Sequence, residues 1–183
     1  MINIITELAY KYRRIKLKKF GVKFKGTSFL DSTVSIHLRS PFFQTSVGSC
    51  ILGNAIKLSK GVTIDCYGGH VEIGQNVFVG PFTTIFGHGN VKIGDNVLIS
   101  PGCKIIASNH TVPDKTKLIN QQPDNIQAIN IGNDVWLGAD VKVLAGVNIG
   151  DGCIIGAGSV VNNSIPSYSY AVGVPAKVIK IRD

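Results

Sequence analysis

From Ile131 onward an aliphatic side chain returns every six residues, at Ile131, Leu137, Val143, Ile149, Ile155 and Val161. Four positions after the first five of these comes a second small or β-branched residue: Val135, Val141, Val147, Cys153 and Ser159. The position following an aliphatic is usually glycine, as at Gly132, Gly138, Gly150 and Gly156. The same frame runs upstream through Ile73, Val79 and Ile85 and then Ile93, Ile99 and Ile105, with two extra residues between Ile85 and Ile93 that must bulge at a corner. A period of six matches neither a helix, which repeats near 3.6, nor an isolated strand, which repeats at 2. Three such edges close a triangular coil, and stacked coils pair each edge in parallel with its equivalents about 4.8 Å away. The pattern therefore predicts an all-β solenoid whose aliphatics form columns along the core.

A solenoid needs covered ends. Ile5, Leu8, Ala9 and Tyr12 follow the i, i+3, i+4, i+7 spacing of one helix face, so residues 2–19 read as an amphipathic helix over the first coil. At the other end Pro166 and Pro175 break the repeat before the β-like run Val178-Ile179-Lys180-Ile181, which is expected to fold back over the last coil. Three segments result: a basic helical cap over 1–25, the coils over 26–165 and a capping tail over 166–183. Residues 26–50 fit the frame only loosely, with Phe29 and Ser35 as irregular phases.

Composition narrows the class. With 44% apolar and 16% charged residues the chain is globular, and no apolar run reaches the roughly 20 residues of a membrane span. The N-terminus lacks a signal-peptide core, and a cytoplasmic location is expected. Cys50, Cys66, Cys103 and Cys153 form no C-x-x-C pair, so they are expected to be buried and reduced, with no zinc site or disulfide framework. The net charge of +8 is concentrated at one end: residues 1–25 hold eight cations against Glu7 alone. A uniformly basic surface for nucleic acid is disfavoured, and no nucleic-acid motif is present. The basic segment has two readings: the solvated face of a capping helix, or a peripheral contact through residues 11–25 with anionic lipid at the inner face of the membrane.

The I-G-x-x-[small]-x repeats, followed by Gly173-Val174-Pro175-Ala176-Lys177, resemble the hexapeptide-repeat acyltransferases and, among them, the sugar O-acetyltransferases. The resemblance covers residues from about 51 to the C-terminus. It implies a left-handed parallel β-helix, against the usual right-handed crossover rule, and a homotrimer whose active sites lie between subunits. It also implies transfer of an acetyl group from acetyl-CoA to a saccharide hydroxyl, in bacterial polysaccharide or glycan synthesis, with no metal.

The frame breaks at length once, between Ile105 and Ile129, where a polar segment (loop 107–128) carries Pro113 and Pro123 and no repeat. A long structureless excursion from a compact domain is often functional, and this one begins with Asn109-His110. Acetyl transfer to a hydroxyl needs a base, and neutral imidazole serves near neutral pH. The resemblance makes His110 that base; a surface histidine is the other reading. It further implies that the Ala139 backbone N–H, after Trp136-Leu137-Gly138, meets the oxyanion. Ala157 falls on the pantetheine groove, Asn162 and Asn163 replace a Thr-Lys common in relatives, and Lys177 and Lys180 match cations that meet CoA phosphates. Asn109, His88 on the bulge and Trp136 are the acceptor-side candidates, with packing the alternative for Trp136. His37 and His70 read as structural.

N-acetylation of an amino sugar, serine acetyl transfer and a non-catalytic scaffold remain as alternatives. The scaffold would not need the loop histidine, and serine acetyltransferases carry a long helical N-terminal domain. The zinc carbonic anhydrases of this architecture use a close H-x-x-x-x-H pair that this sequence lacks.

Overall fold

The computed structural model describes residues 4–39 and 46–183, with side chains described from residue 11 onward. The chain winds into a left-handed three-faced parallel β-helix. The first face stacks Lys23–Phe24, Ser49–Leu52, His70–Ile73, Val91–Ile93, Ile129–Ile131 and Asn148–Ile149. The second stacks Ser28–Leu30, Ile56–Leu58, Phe78–Val79, Leu98–Ile99, Trp136–Leu137, Ile154–Ile155 and Ser169–Gly173. The third runs from Ser35–His37 through Thr63–Asp65, Thr84–Phe86, Lys104–Ile106 and Lys142–Val143 to Val160–Val161.

Every aliphatic of the six-residue frame is buried, as are the second-phase residues Val135, Val141, Val147, Cys153 and Ser159. In-register pairing stacks like upon like: Ile73, Ile93, Ile131 and Ile149 on the first face, and Ile64, Ile85, Ile105, Val143 and Val161 on the third. All four cysteines are buried and free. Burial pushes the Cys103 and Cys153 thiols up, and Cys50, hydrogen-bonded to Cys66 and desolvated, is held well above the usual thiol range.

The frame extends into residues 26–50 in a different phase from that expected. Leu30, Val34, Cys50 and Leu52 point inward, whereas Phe29 lies on the outer surface and Ser35 is half-buried. The two extra residues after Ile85 sit in the turn joining Thr84–Phe86 to Val91–Ile93, where the Asn90 N–H donates to Gly87 O (2.8 Å) and Asn90 adopts a positive φ of 74°.

Helix α1 spans Ile4–Lys19. It ends in a Schellman cap: Gly21 (φ 95°) donates to Lys18 O and Val22 donates to Leu17 O, with buried Val22 meeting the Leu17 end. The face turned to the body differs from the expected row. Ile5, Leu8 and Ala9 lie outside the described side chains, and Tyr12 is 72% exposed. Leu17 packs on the core, Arg13 donates to Ser32 O, and Arg14 donates to Gly26 O and stacks on Phe24 at 5.0 Å. The cap and the two arginine clamps fix the rotation of the helix, which periodicity alone could not.

In the tail Ser169–Gly173 continues the second face, and Ala176–Ile181 folds back antiparallel beside it as a further strand. Arg182 secures it through Asp134 (2.8 Å) and Gly152 O (3.3 Å).

Candidate functional site

The long excursion is not structureless. Ser108–His110 pairs antiparallel with Asp124–Ile126, placing His110 opposite Asp124. Between them the arm is held by its own polar groups: Gln122 brackets Asp114 through two 3.0 Å bonds, Thr111 donates to Pro123 O, and residues Ile119–Gln121 form a 3₁₀ turn. The hydroxyl and backbone N–H of Thr116 hold the Asp114 carboxyl below its usual range.

This hairpin forms one wall of a cleft of about 890 Å³ at the corner between the third and first faces. Tyr67, Phe86 and His88, contributed by the two preceding coils, form the other wall. The Tyr67 centroid lies 4.9 Å from both Phe86 and His88, tilted at 46° to the former, and His88 meets both rings edge to face. Asn109, His110, Asn120, Gln122 and Asp124 add amides, an imidazole and a carboxylate to the lining, which Ile106 and Ser108 complete.

Asp124 organises the site. One carboxylate oxygen lies 2.7 Å from His110 Nδ1, and the other lies 4.0 Å from His88 Nδ1. A carboxylate on Nδ1 fixes the proton there and leaves Nε2 as the basic nitrogen. The His110 side chain is 70% exposed at the cleft mouth, whereas that of His88 is 19% exposed and set deeper.

Of the residues expected from sequence, His110, Asn109 and His88 converge here, and Trp136 does not. Trp136 is half exposed on the second face, its indole N–H donating to Ser100 Oγ at 3.1 Å, and it stacks in register between Leu98 and Ile154. The outward phase of a strand on that face cannot turn to a corner one edge away, so within one chain Trp136 neither lies beneath the hairpin nor lines the cleft. Asp124, Tyr67, Phe86, Asn120 and Gln122 were not foreseen.

Ala139 and Ala157 occupy the corner between the second and third faces. Here four successive coils make a turn with positive φ at its third residue: Phe82 (59°), Gly102 (77°), Asp140 (58°) and Gly158 (72°). The second residue is Pro81 and Pro101 in two coils, and Ala139 and Ala157 in the next two. Proline at this position shows that neither turn nor ladder uses the N–H there. Where alanine replaces it, an N–H is present, and no backbone acceptor for Ala139 or Ala157 is found among the described residues.

Asn162 and Asn163 are exposed at the other end of the third face, their side chains bonded to each other at 3.1 Å. Lys177 and Lys180 lie on the final antiparallel strand, with Lys180 Nζ 4.3 Å over the Tyr170 ring. The cofactor-side candidates therefore spread along the prism rather than converging at one point within a chain.

Residues 128–163 match the family model "Bacterial transferase hexapeptide (six repeats)". A provisionally named lipopolysaccharide O-acetyltransferase of Escherichia coli K12, WbbJ, is 36% identical over 151 residues, covering 78% of this chain and 77% of its own length. The chain belongs to the hexapeptide-repeat transferase family. A provisionally named Mycobacterium tuberculosis acetyltransferase is 34% identical over 94% of this chain, which spans only 56% of that relative's length. Among solved structures, galactoside acetyltransferase in complex with coenzyme A is similar at TM-score 0.60 and 26% identity, over 94% of this chain and 71% of the other. The N-acyltransferase AntD of Bacillus cereus, solved with dTDP and 3-hydroxybutyryl-CoA, shares the fold at TM-score 0.76 and 24% identity, over 93% and 88% of the two chains.

Proposed function

We propose that this protein transfers the acetyl group of acetyl-CoA to a hydroxyl of a saccharide, with His110 as general base. The observation that carries the reading is the 2.7 Å His110–Asp124 contact at the mouth of a cleft lined by aromatic rings and amides. Amides satisfy sugar hydroxyls without binding an anion, and aromatic edges and faces suit the apolar flank of a pyranose.

In the reaction Nε2 of His110 takes the hydroxyl proton as the oxygen attacks the thioester carbonyl. The Ala139 N–H meets the resulting oxyanion. Collapse of the tetrahedral intermediate expels the CoA thiolate, and the imidazolium returns its proton to the sulfur. Asp124 holds the ring and balances its charge while it is protonated. Asn109 and His88 contact the acceptor. The pantetheine arm runs past Ala157, and Asn162, Asn163, Lys177 and Lys180 lie toward the nucleotide end.

His110 and Ala139 lie at opposite ends of the third face, so one chain does not present both to a single thioester. A homotrimer resolves this by setting the His110 cleft of one subunit against the Ala139 corner of the next. The outward column Phe78, Leu98, Trp136, Ile154 and Tyr170 supplies apolar surface for such packing and gives Trp136 a partner. We place the enzyme in the cytoplasm, in polysaccharide or glycan synthesis.

Thiol release from acetyl-CoA with a panel of neutral and amino sugars tests the reading. Release with neutral sugars, reduced by about 10²–10⁴-fold in His110→Ala, is expected. Release with amino sugars alone selects N-acetylation, and none with any acceptor removes the proposal.

A further inference from the structure

Helix α1 is held to the body along one face and presents another to solvent. Arg13, Arg14 and Leu17 make the attachment. Tyr12, Ile15, Lys16 and Lys19 follow one another at i, i+3, i+4 and i+7 and so share the opposite face. Tyr12 and Ile15 are exposed there, and Phe20, at the helix end beside them, is 67% exposed. Lys11 and Lys18 flank the stripe, and Lys23 follows the cap.

Residues 11–25 contain eight cations and no acid. Lys25 is neutralised by Glu72 at 2.9 Å, which lowers the Glu72 carboxyl from its usual range. Lys11, Lys16, Lys18, Lys19 and Lys23 have no carboxylate partner among the described residues. The remainder of the chain is close to neutral, so the charge is local rather than a general property of the surface.

We propose that this outward face of α1 docks on an anionic lipid bilayer. Two features select the bilayer over a soluble polyanion. The cations interleave with Tyr12, Ile15 and Phe20, and an aliphatic Ile15 gains from an acyl boundary but not from phosphate. The helix is also already fixed on the body, so it lies in the interface plane without a separate folding cost. The inference does not depend on acetyl transfer, and its test reads binding alone.

Co-sedimentation of the full chain with vesicles of phosphatidylcholine, and of equal parts phosphatidylcholine and phosphatidylglycerol, decides it. Binding to the anionic vesicles at least about tenfold stronger than to the neutral ones, and weakened by salt, is expected from several lysines near the surface. Lys16→Glu with Lys19→Glu should lower that binding by about tenfold or more, whereas Lys60→Glu with Lys92→Glu, an equal change in net charge on the body, should leave it intact. Tyr12→Ser with Ile15→Ser should weaken binding at constant charge. All four positions on the helix face solvent, so unchanged thermal midpoints are expected and separate lost docking from lost fold. Equal binding to both vesicles, equal effects of the two lysine pairs, or retention on heparin without vesicle binding would overturn the proposal.

Discussion

At the residue scale the site depends on Asp124. His110 stands largely in solvent, where an imidazole samples both tautomers and several rotamers. The carboxylate 2.7 Å from Nδ1 selects the tautomer whose Nε2 can accept a proton. Asp124→Asn retains the shape but lets the amide present its oxygen or its NH₂ to the ring, weakening both tautomer and charge balance. We expect kcat to fall by about 10²-fold or more, with KM for acetyl-CoA and the thermal midpoint nearly unchanged. A loss confined to KM would show that Asp124 binds substrate instead. Ala139→Pro tests the proposed oxyanion donor, because Pro81 and Pro101 already occupy the equivalent corner position. The substitution should fold, yet it deletes the N–H, and kcat should fall by about 10²–10³-fold. Retained activity would remove Ala139 as the oxyanion donor.

At the scale of elements, the coils were legible in the sequence and the hairpin was not. A period of six is set by a local requirement, one inward aliphatic per edge, and Ile131 through Val161 repeat it without a slip. The arm over 108–126 follows no such rule, since its stability comes from cross-arm bonds such as Gln122 to Asp114, which leave no periodic trace. Asp124 was hidden for the same reason: only the antiparallel register brings it to His110. Tyr67 and Phe86 belong to earlier coils, and nothing local marks them as facing the cleft. The bulge after Ile85 was readable as an insertion, and it does deliver His88. Gly89 in that bulge lets the arm approach. A Cβ there would stand 2.0 Å from Ala107 O and 2.6 Å from Gln127 O, the backbone at the two ends of the excursion. Gly89→Ala must therefore push the hairpin base away from the coil. We expect a larger loss in kcat than in stability, with the thermal midpoint lowered by a few degrees. Unaltered activity would show that the cleft tolerates a displaced arm.

At the scale of the molecule, the separation of His110 from Ala139 becomes a statement about assembly. They sit at opposite ends of the third face, about five residues of extended chain apart, or roughly 16 Å. A base must reach the acceptor hydroxyl within about 3 Å, while the oxyanion donor lies a similar distance from the same carbonyl. The two therefore serve one reaction only if they come from different subunits. Mixing variants tests this proposed sharing between subunits. His110→Ala and Ala139→Pro subunits, each inactive alone, should regain activity when unfolded together and refolded in equal amounts. With random assembly into a cyclic trimer, about a quarter of the interfaces would pair an intact His110 with an intact Ala139 from the neighbour, so roughly a quarter of wild-type activity is expected. If both groups acted within one chain, every subunit would carry one lesion and the mixture would stay inactive.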